Sequence, residues 1–309
     1  MTVGRFAPSP SGRIHMGNIL CCLLAWLSAR QKGGRVVLRI EDLDTARCKR
    51  PYAEQMIDDL QWLGLTWDQG PGVGGPHAPY YQSERTALYE VALETLRDHI
   101  YPCYCTRSEL HAASAPHRSD GQAVYAGTCR HLTAAERAAK TRPPATRLVV
   151  PDAVWGFTDG HMGYYGENLL RDCGDFLLRR SDAMFAYQLA VVVDDAAMGV
   201  TEVVRGSDLL SSTPRQLYLY DLLGLKAPEF IHFPLLLAPD GRRLSKRDAD
   251  AGLEAVRGRL RAEELLGRLA YLAGFNPTAE PKSAEDLLAD FDWERVPRED
   301  IRIPEGFFR

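Results

Sequence analysis

The residues best suited to chemistry stand in two short segments far apart in the chain. Arg5-Phe6-Ala7-Pro8-Ser9-Pro10-Ser11-Gly12 leads into His15-Met16-Gly17-Asn18, and far downstream comes Arg243-Leu244-Ser245-Lys246-Arg247. The first segment ends where an apolar run begins. Gly17 there lets backbone approach a ligand closely, and the helix start behind it offers free N–H groups and a positive dipole end to a phosphate, with His15 as a side-chain donor. Taken alone, His15 and Gly17 equally well shape a tight strand-to-helix turn. The second segment places Ser245 and Lys246 in a polar loop after Pro239-Asp240, among Gly241, Arg242, Arg243 and Arg247. A cationic loop tip of this kind suits a triphosphate whose charge grows in the transition state, although in isolation it is also an ordinary solvated basic loop. Together, and in this order, the two segments imply a split site at which a carboxylate attacks the α-phosphate of ATP.

A second signal is Cys103-Tyr104-Cys105 followed by Cys129. Three thiolates suit tetrahedral zinc and leave one position open. His131, two residues beyond Cys129, is a chemically ordinary nitrogen donor for it. The surrounding stretch, from 101 to about 145, is poor in large aliphatic residues, so an ion here would be structural rather than catalytic. The alternative is three reduced thiols in a loop.

The elements that must position these groups follow from periodicity. A short apolar start precedes the first motif, and Ile19 to Leu27 reads as a buried helix stopped by Gly33-Gly34, with Cys21 and Cys22 as buried thiols. Val36-Val37-Leu38-Arg39-Ile40 is a β-branched run that reads as a buried parallel strand. Pro51 opens a helix with Met56, Ile57, Leu60 and Leu63 on one face, ended by Gly64. Another helix is expected from an N-cap at Ser83 to about His99. Strands are expected at 176–178, 189–193 and 201–204, then a helix over 214–223 and a mainly helical stretch over 252–273. These elements divide the chain into a first catalytic half at 1–100, a zinc-containing insertion at 101–174, a second half at 175–240, and a loop with a helical region at 241–309.

With 309 residues, 45% hydrophobic and 25% charged, the chain can bury a sizeable core. A formal net charge of -4 gives no global sign of nucleic-acid binding. Basic residues do outnumber acidic ones over 240–261, which fits phosphate contacts or a solvated helix. The seven cysteines form no disulfide framework, and neither a signal peptide nor a membrane span is visible, so a cytoplasmic location is expected.

The motifs resemble class I aminoacyl-tRNA synthetases of the glutamate and glutamine group. His15-Met16-Gly17-Asn18 is similar to their HIGH motif and Arg243 to Arg247 to their KMSKS motif, departing from it with Arg243 at the first position and Arg247 at the last. The resemblance continues through Arg39-Ile40-Glu41-Asp42, Tyr187 to Asp195 and Val203 to Leu210, covering nearly all of residues 3 to 247. It implies an α/β fold, with a Rossmann-like catalytic domain, a zinc-bearing insertion and a C-terminal helical segment. Only 62 residues follow Arg247, too few for an anticodon-binding domain, so the expected relatives are the truncated paralogues of the glutamyl-tRNA synthetases.

The implied activity is activation of glutamate by ATP without tRNA, with Mg²⁺ expected on the triphosphate, then transfer to the queuosine base in the anticodon of tRNA(Asp). His15 and Lys246 are the implied catalytic residues, and His15, Gly17, Asn18, Ser245 and Lys246 the implied ATP contacts. Glutamate, with two carboxylates and an ammonium, needs two cations and an acid. By resemblance these are Arg5, Arg205 and Glu41, with Ala7, Ser9 and Tyr187 beside them; which arginine reads which carboxylate stays open. The resemblance also makes Tyr125 the fourth zinc ligand, with Cys103, Cys105 and Cys129, and leaves His131 as the alternative. Two other functions fit the same motifs: a minimal glutamyl-tRNA synthetase that acylates the tRNA 3′ end, and a catalytically silent RNA-binding paralogue.

Overall fold

A computed structural model describes residues 1–106, 109, 124–244 and 252–308. Strand β1 (Val3–Phe6) and β2 (Arg35–Leu38) pair in parallel, with helix α1 (Met16–Gln31) as their crossover. Helix α1 is apolar on nearly every side, as a helix enclosed by a domain must be. Leu20, Leu23, Leu24 and Leu27 are inaccessible, and truncating one to alanine costs about 2–5 kcal/mol. Helix α2 (Arg50–Trp62) begins at the expected proline and buries Met56 and Leu60.

Helix α3 (Thr86–Thr95) is shorter than the expected 83–99 and sits between 3₁₀ turns at Gln82–Glu84 and Arg97–His99. Ser83 is no cap, because its N–H and hydroxyl both donate to Asp42, at 2.9 and 2.7 Å. A tertiary contact has taken the polar group that local sequence would assign to the helix start.

Strand β3 (Ile100–Cys103) begins a three-stranded antiparallel sheet, followed in sequence by the short helix α4 (Ala134–Ala138). The sheet is completed by β4 (Ala145–Leu148) and, beyond the hairpin β5 (Val154–Asp159) and β6 (Gly163–Asn168), by β7 (Phe176–Arg179). Gly174, at φ 69°, lies against Tyr125, where a Cβ would sit 2.4 Å from the Tyr125 carbonyl oxygen.

The expected strand at 189–193 is instead part of helix α5 (Tyr187–Ala197). Five apolar residues in a row do not distinguish a buried strand from a buried helix turn. What decides is that both acids after the run, Asp194 and Asp195, point inward to buried arginines.

Strand β8 (Glu202–Gly206) then pairs in parallel with β9 (Glu229–Phe233), and α6 (Thr213–Leu222) is the crossover. The two parallel pairs abut where the Thr201 N–H donates to the Val3 carbonyl at 2.9 Å. All four strands therefore end on one edge, the usual place for a ligand crevice in an open α/β sheet.

The expected helical stretch at 252–273 is broken into α7 (Leu253–Arg257) and α8 (Ala262–Leu272), with Gly258 between them. A last helix, α9 (Ala284–Asp290), packs against α1. Gln31 Nε2 donates to the Phe291 carbonyl and Trp293 Nε1 to Ser28 Oγ, so this segment covers the outer side of the crossover helix.

Candidate active site

A cavity of about 560 Å³ opens at the carboxyl ends of these strands. Arg5, Ala7, Ser9, His15, Gly17, Asn18, Glu41, Tyr187 and Arg205 all line it, although they come from four separate parts of the chain. Arg243 and Leu244 reach its rim; Ser245 and Lys246, the expected donors beyond them, lie outside the described residues.

His15 precedes the first turn of α1, where its N–H donates to Asn18 Oδ1 at 3.3 Å. The imidazole lies over Gly17, and a Cβ there would meet its Cε1 at 3.1 Å. Glycine is thus needed to seat the histidine as well as to open the helix start to a ligand.

The charges are arranged in two layers. Arg39, fully buried beneath the cavity, donates from Nη1 to Asp195 Oδ1 at 2.6 Å and from Nη2 to Glu41 Oε1 at 3.1 Å. Asp195 also lies 3.7 Å from Arg5 Nε, while Arg5 Nη1 donates to the Val204 carbonyl at 3.0 Å. Asp194 is held by Arg85, Gln82 and Tyr89, at 2.6, 2.8 and 2.8 Å. Burial disfavours the Arg39 charge, but Asp195, Glu41 and Asp194 outweigh it and hold its pKa above the usual value. Burial raises the Glu41 carboxyl above its usual range, against the pull of Arg39 and Arg5.

Arg205 differs from these. It is 2% exposed, yet it has no carboxylate partner among the described residues. Its Nε donates to His232 Nε2 at 2.9 Å and its Nη2 to Thr213 Oγ1 at 2.8 Å; Nη1 is buried with no partner. Desolvation accordingly lowers its pKa. A buried guanidinium beside a cavity, with one nitrogen unsatisfied and no carboxylate partner among the described residues, is poised for an anion.

Cys21 also lines the cavity and is half-buried rather than buried as expected; Cys22 is buried. Burial pushes the Cys21 thiol up to about 11, so it is no nucleophile at neutral pH.

Away from the cavity, Cys103, Cys105 and Cys129 bring their sulfurs within 4.8 Å of one another, a group that could hold a metal ion. Tyr125 Oη lies 3.4 Å from Cys103 Sγ and 3.8 Å from Cys105 Sγ, and the Cys105 and Cys129 sulfurs are 3.5 Å apart. Ligand bonds of about 2.3 Å give tetrahedral edges of roughly 3.8 Å, and these three separations are close to that value. Arg147 donates to Cys103 Sγ at 3.3 Å and stacks 3.8 Å from the Tyr125 ring, while the Cys129 N–H donates to Tyr125 Oη at 2.9 Å. Against burial, hydrogen bonds from Tyr125 and Arg147 lower the Cys103 thiol, whereas burial raises the Tyr125 hydroxyl and the Cys105 thiol above their usual ranges. His131 is exposed to solvent.

The family model for the catalytic domain of class I tRNA synthetases (E and Q) matches residues 1–298. A glutamyl-Q tRNA(Asp) synthetase of Symbiobacterium thermophilum is 52% identical, with 98% of this chain and 96% of that one covered. The chain belongs to the glutamyl-Q tRNA(Asp) synthetase family. Another such synthetase, from Nitratidesulfovibrio vulgaris, is 50% identical over the same shares of the two chains. A glutamate-tRNA synthetase of Elizabethkingia anophelis superposes with a TM-score of 0.85 at 29% identity, covering 99% of this chain and 69% of that one. The Rossmann-like α/β reading of the catalytic fold therefore holds.

Nine of the residues singled out from the sequence face the cavity, and those behind them were missed. Arg39 and Asp195 stand inside the matching sequence blocks and could have been singled out as charged residues in apolar runs. Asp159 and His232 carry no such signal, since nothing local connects them to Arg205.

Proposed function

We propose that this chain activates glutamate with ATP to glutamyl-adenylate without tRNA, then transfers glutamate to the queuosine base in the anticodon of tRNA(Asp). The single observation that best supports the first step is Arg205, a buried cation that has no carboxylate partner among the described residues and lines the same cavity as Arg5 and Glu41. Two guanidinium groups and one carboxylate match the two carboxylates and one ammonium of glutamate.

The substrate's own α-carboxylate attacks the α-phosphorus and pyrophosphate leaves, so the enzyme needs no nucleophile. Its contribution is positioning and charge stabilisation by His15, the N-terminus of α1 and Lys246, with Gly17, Asn18 and Ser245 as further ATP contacts and Mg²⁺ on the triphosphate. Ala7, Ser9 and Tyr187 complete the glutamate pocket. A hydroxyl of the queuosine cyclopentene ring then attacks the adenylate carbonyl and AMP leaves.

Cys103, Cys105, Tyr125 and Cys129 would hold a structural zinc within an insertion at 101–174, between catalytic halves at 1–100 and 175–240, with 241–309 as a loop and a stem-contacting helical region. When bound, the ion would tie the residues around 125–129 to the end of β3. A cytoplasmic site of action follows from the partners, glutamate, ATP and tRNA(Asp). Among the described residues no helix is long and apolar enough to cross a membrane.

Exchange of labelled pyrophosphate into ATP, without tRNA, tests the first step. Exchange should require glutamate, and Lys246→Ala should slow it about a hundredfold or more. Exchange that is independent of glutamate, or near normal in that variant, would contradict the assignment.

A further inference from the structure

The geometry points to Asp159 and His232 as a positioning pair that aims Arg205 into the cavity, although neither of them lines it. The inference rests on the proposed glutamate pocket and extends it one layer outward. Arg205 Nε is a donor only, so at 2.9 Å His232 Nε2 must present its lone pair. The imidazole proton is then on Nδ1, from which it is donated to Asp159 Oδ2 at 2.6 Å. Asp159 is itself fixed: its Oδ1 accepts the backbone N–H groups of His161, Met162 and His232 at 3.0, 2.9 and 3.1 Å.

All three side chains are almost wholly buried, and Thr213 Oγ1, 3.4 Å from His232 Nε2, can donate to the same lone pair. Thr213 Oγ1 accepts from Nη2 and the Phe230 ring lies 5.0 Å from the guanidinium carbon, which leaves Nη1 as the unsatisfied nitrogen. Burial disfavours a charged His232 and lowers its pKa, while the His232 hydrogen bond and the three backbone donors outweigh burial and lower that of Asp159. The tautomer, rather than the charge, of His232 carries the effect. Asp159 closes the first strand of the hairpin β5–β6, whereas Arg205 and His232 lie on the paired strands β8 and β9. An arginine that receives substrate is thus aligned from the antiparallel part of the molecule.

This arrangement predicts an order of variants that a merely structural role would not produce. In Asp159→Asn the amide oxygen keeps the three backbone donors, and the amide nitrogen turns toward His232 Nδ1. That forces the proton onto Nε2, donor against donor with Arg205. The KM for glutamate in pyrophosphate exchange should rise about tenfold or more, with the KM for ATP unchanged, as when one charge-assisted hydrogen bond is lost.

Adding His232→Gln should rescue that variant to within about threefold of native, because a glutamine oxygen at the Nε2 position accepts from Arg205 whatever occupies position 159. His232→Gln alone should be near native, while His232→Asn, which keeps the donor toward Asp159 and loses the acceptor, should resemble Asp159→Asn. Melting temperatures identify folded variants, and the two His232 variants carry the comparison if Asp159→Asn does not fold. Equal impairment of the glutamine and asparagine variants, or a double variant no better than Asp159→Asn, would overturn the pair's role. Arg205→Ala is the separate control: an unchanged KM for glutamate there would overturn the pocket itself.

Discussion

Glu41→Gln separates recognition of the substrate ammonium from the chemistry of activation. The change keeps volume and removes one negative charge from the cavity. Arg39 loses its 3.1 Å charged partner but retains Asp195 at 2.6 Å and Asp194 at 3.8 Å, so the buried guanidinium stays compensated and the fold should survive. What is lost is a hydrogen bond between two charged groups in a half-dry site, about 1.5–3 kcal/mol, which corresponds to roughly a 10- to 150-fold rise in the KM for glutamate. The ammonium takes no part in the attack on phosphorus, so kcat for pyrophosphate exchange should fall much less. The effect also has a pH signature. Burial holds the Glu41 carboxyl above its ordinary 4.5, so in the native enzyme its charge begins to be lost, and the KM for glutamate to rise, at a higher pH than for an exposed glutamate. That acid limb should disappear in Glu41→Gln. An unchanged KM, or an acid limb that persists in the variant, would refute the placement of Glu41 against the ammonium.

Further outcomes follow from the same structure. Arg39→Met leaves Asp195, Asp194 and Glu41 without their shared cation and should cost about 3–5 kcal/mol in denaturant unfolding; a loss below about 1 kcal/mol would mean that the buried network is not coupled as its distances suggest. Purified protein should contain zinc, and Tyr125→Phe should weaken zinc binding in a chelator competition more than tenfold while His131→Ala leaves it unchanged; the reverse order would move the fourth ligand to His131.

Local rules made much of this legible. The strand, helix and strand around α1 follow from an apolar run bounded by glycines, and the start of α2 follows from Pro51. The polar part of the cavity was readable because Arg5 to Asn18, Glu41, Tyr187 and Arg205 fall inside short motifs whose residue types match phosphate and carboxylate chemistry, while Met56, Phe233, Leu235 and Leu236, which also line it, fall outside them. Helix α5 was not, since Leu189 to Val193 is equally a strand core, and the deciding contacts come from Arg39 and Arg85, far away in sequence. Ser83 failed as a cap for a similar reason, its hydroxyl having been taken by Asp42. Least legible of all was the support of Arg205. Asp159 and His232 meet across 73 residues, and only the packing of hairpin against sheet brings them together.

Queuosine as the acceptor can be tested directly. Labelled glutamate should be offered with ATP to tRNA(Asp) carrying queuosine and to the same tRNA lacking it, and the labelled product mapped by nuclease digestion. Label should depend on queuosine and stay with the anticodon fragment. Label on the 3′-terminal nucleotide, whether or not queuosine is present, would contradict that acceptor.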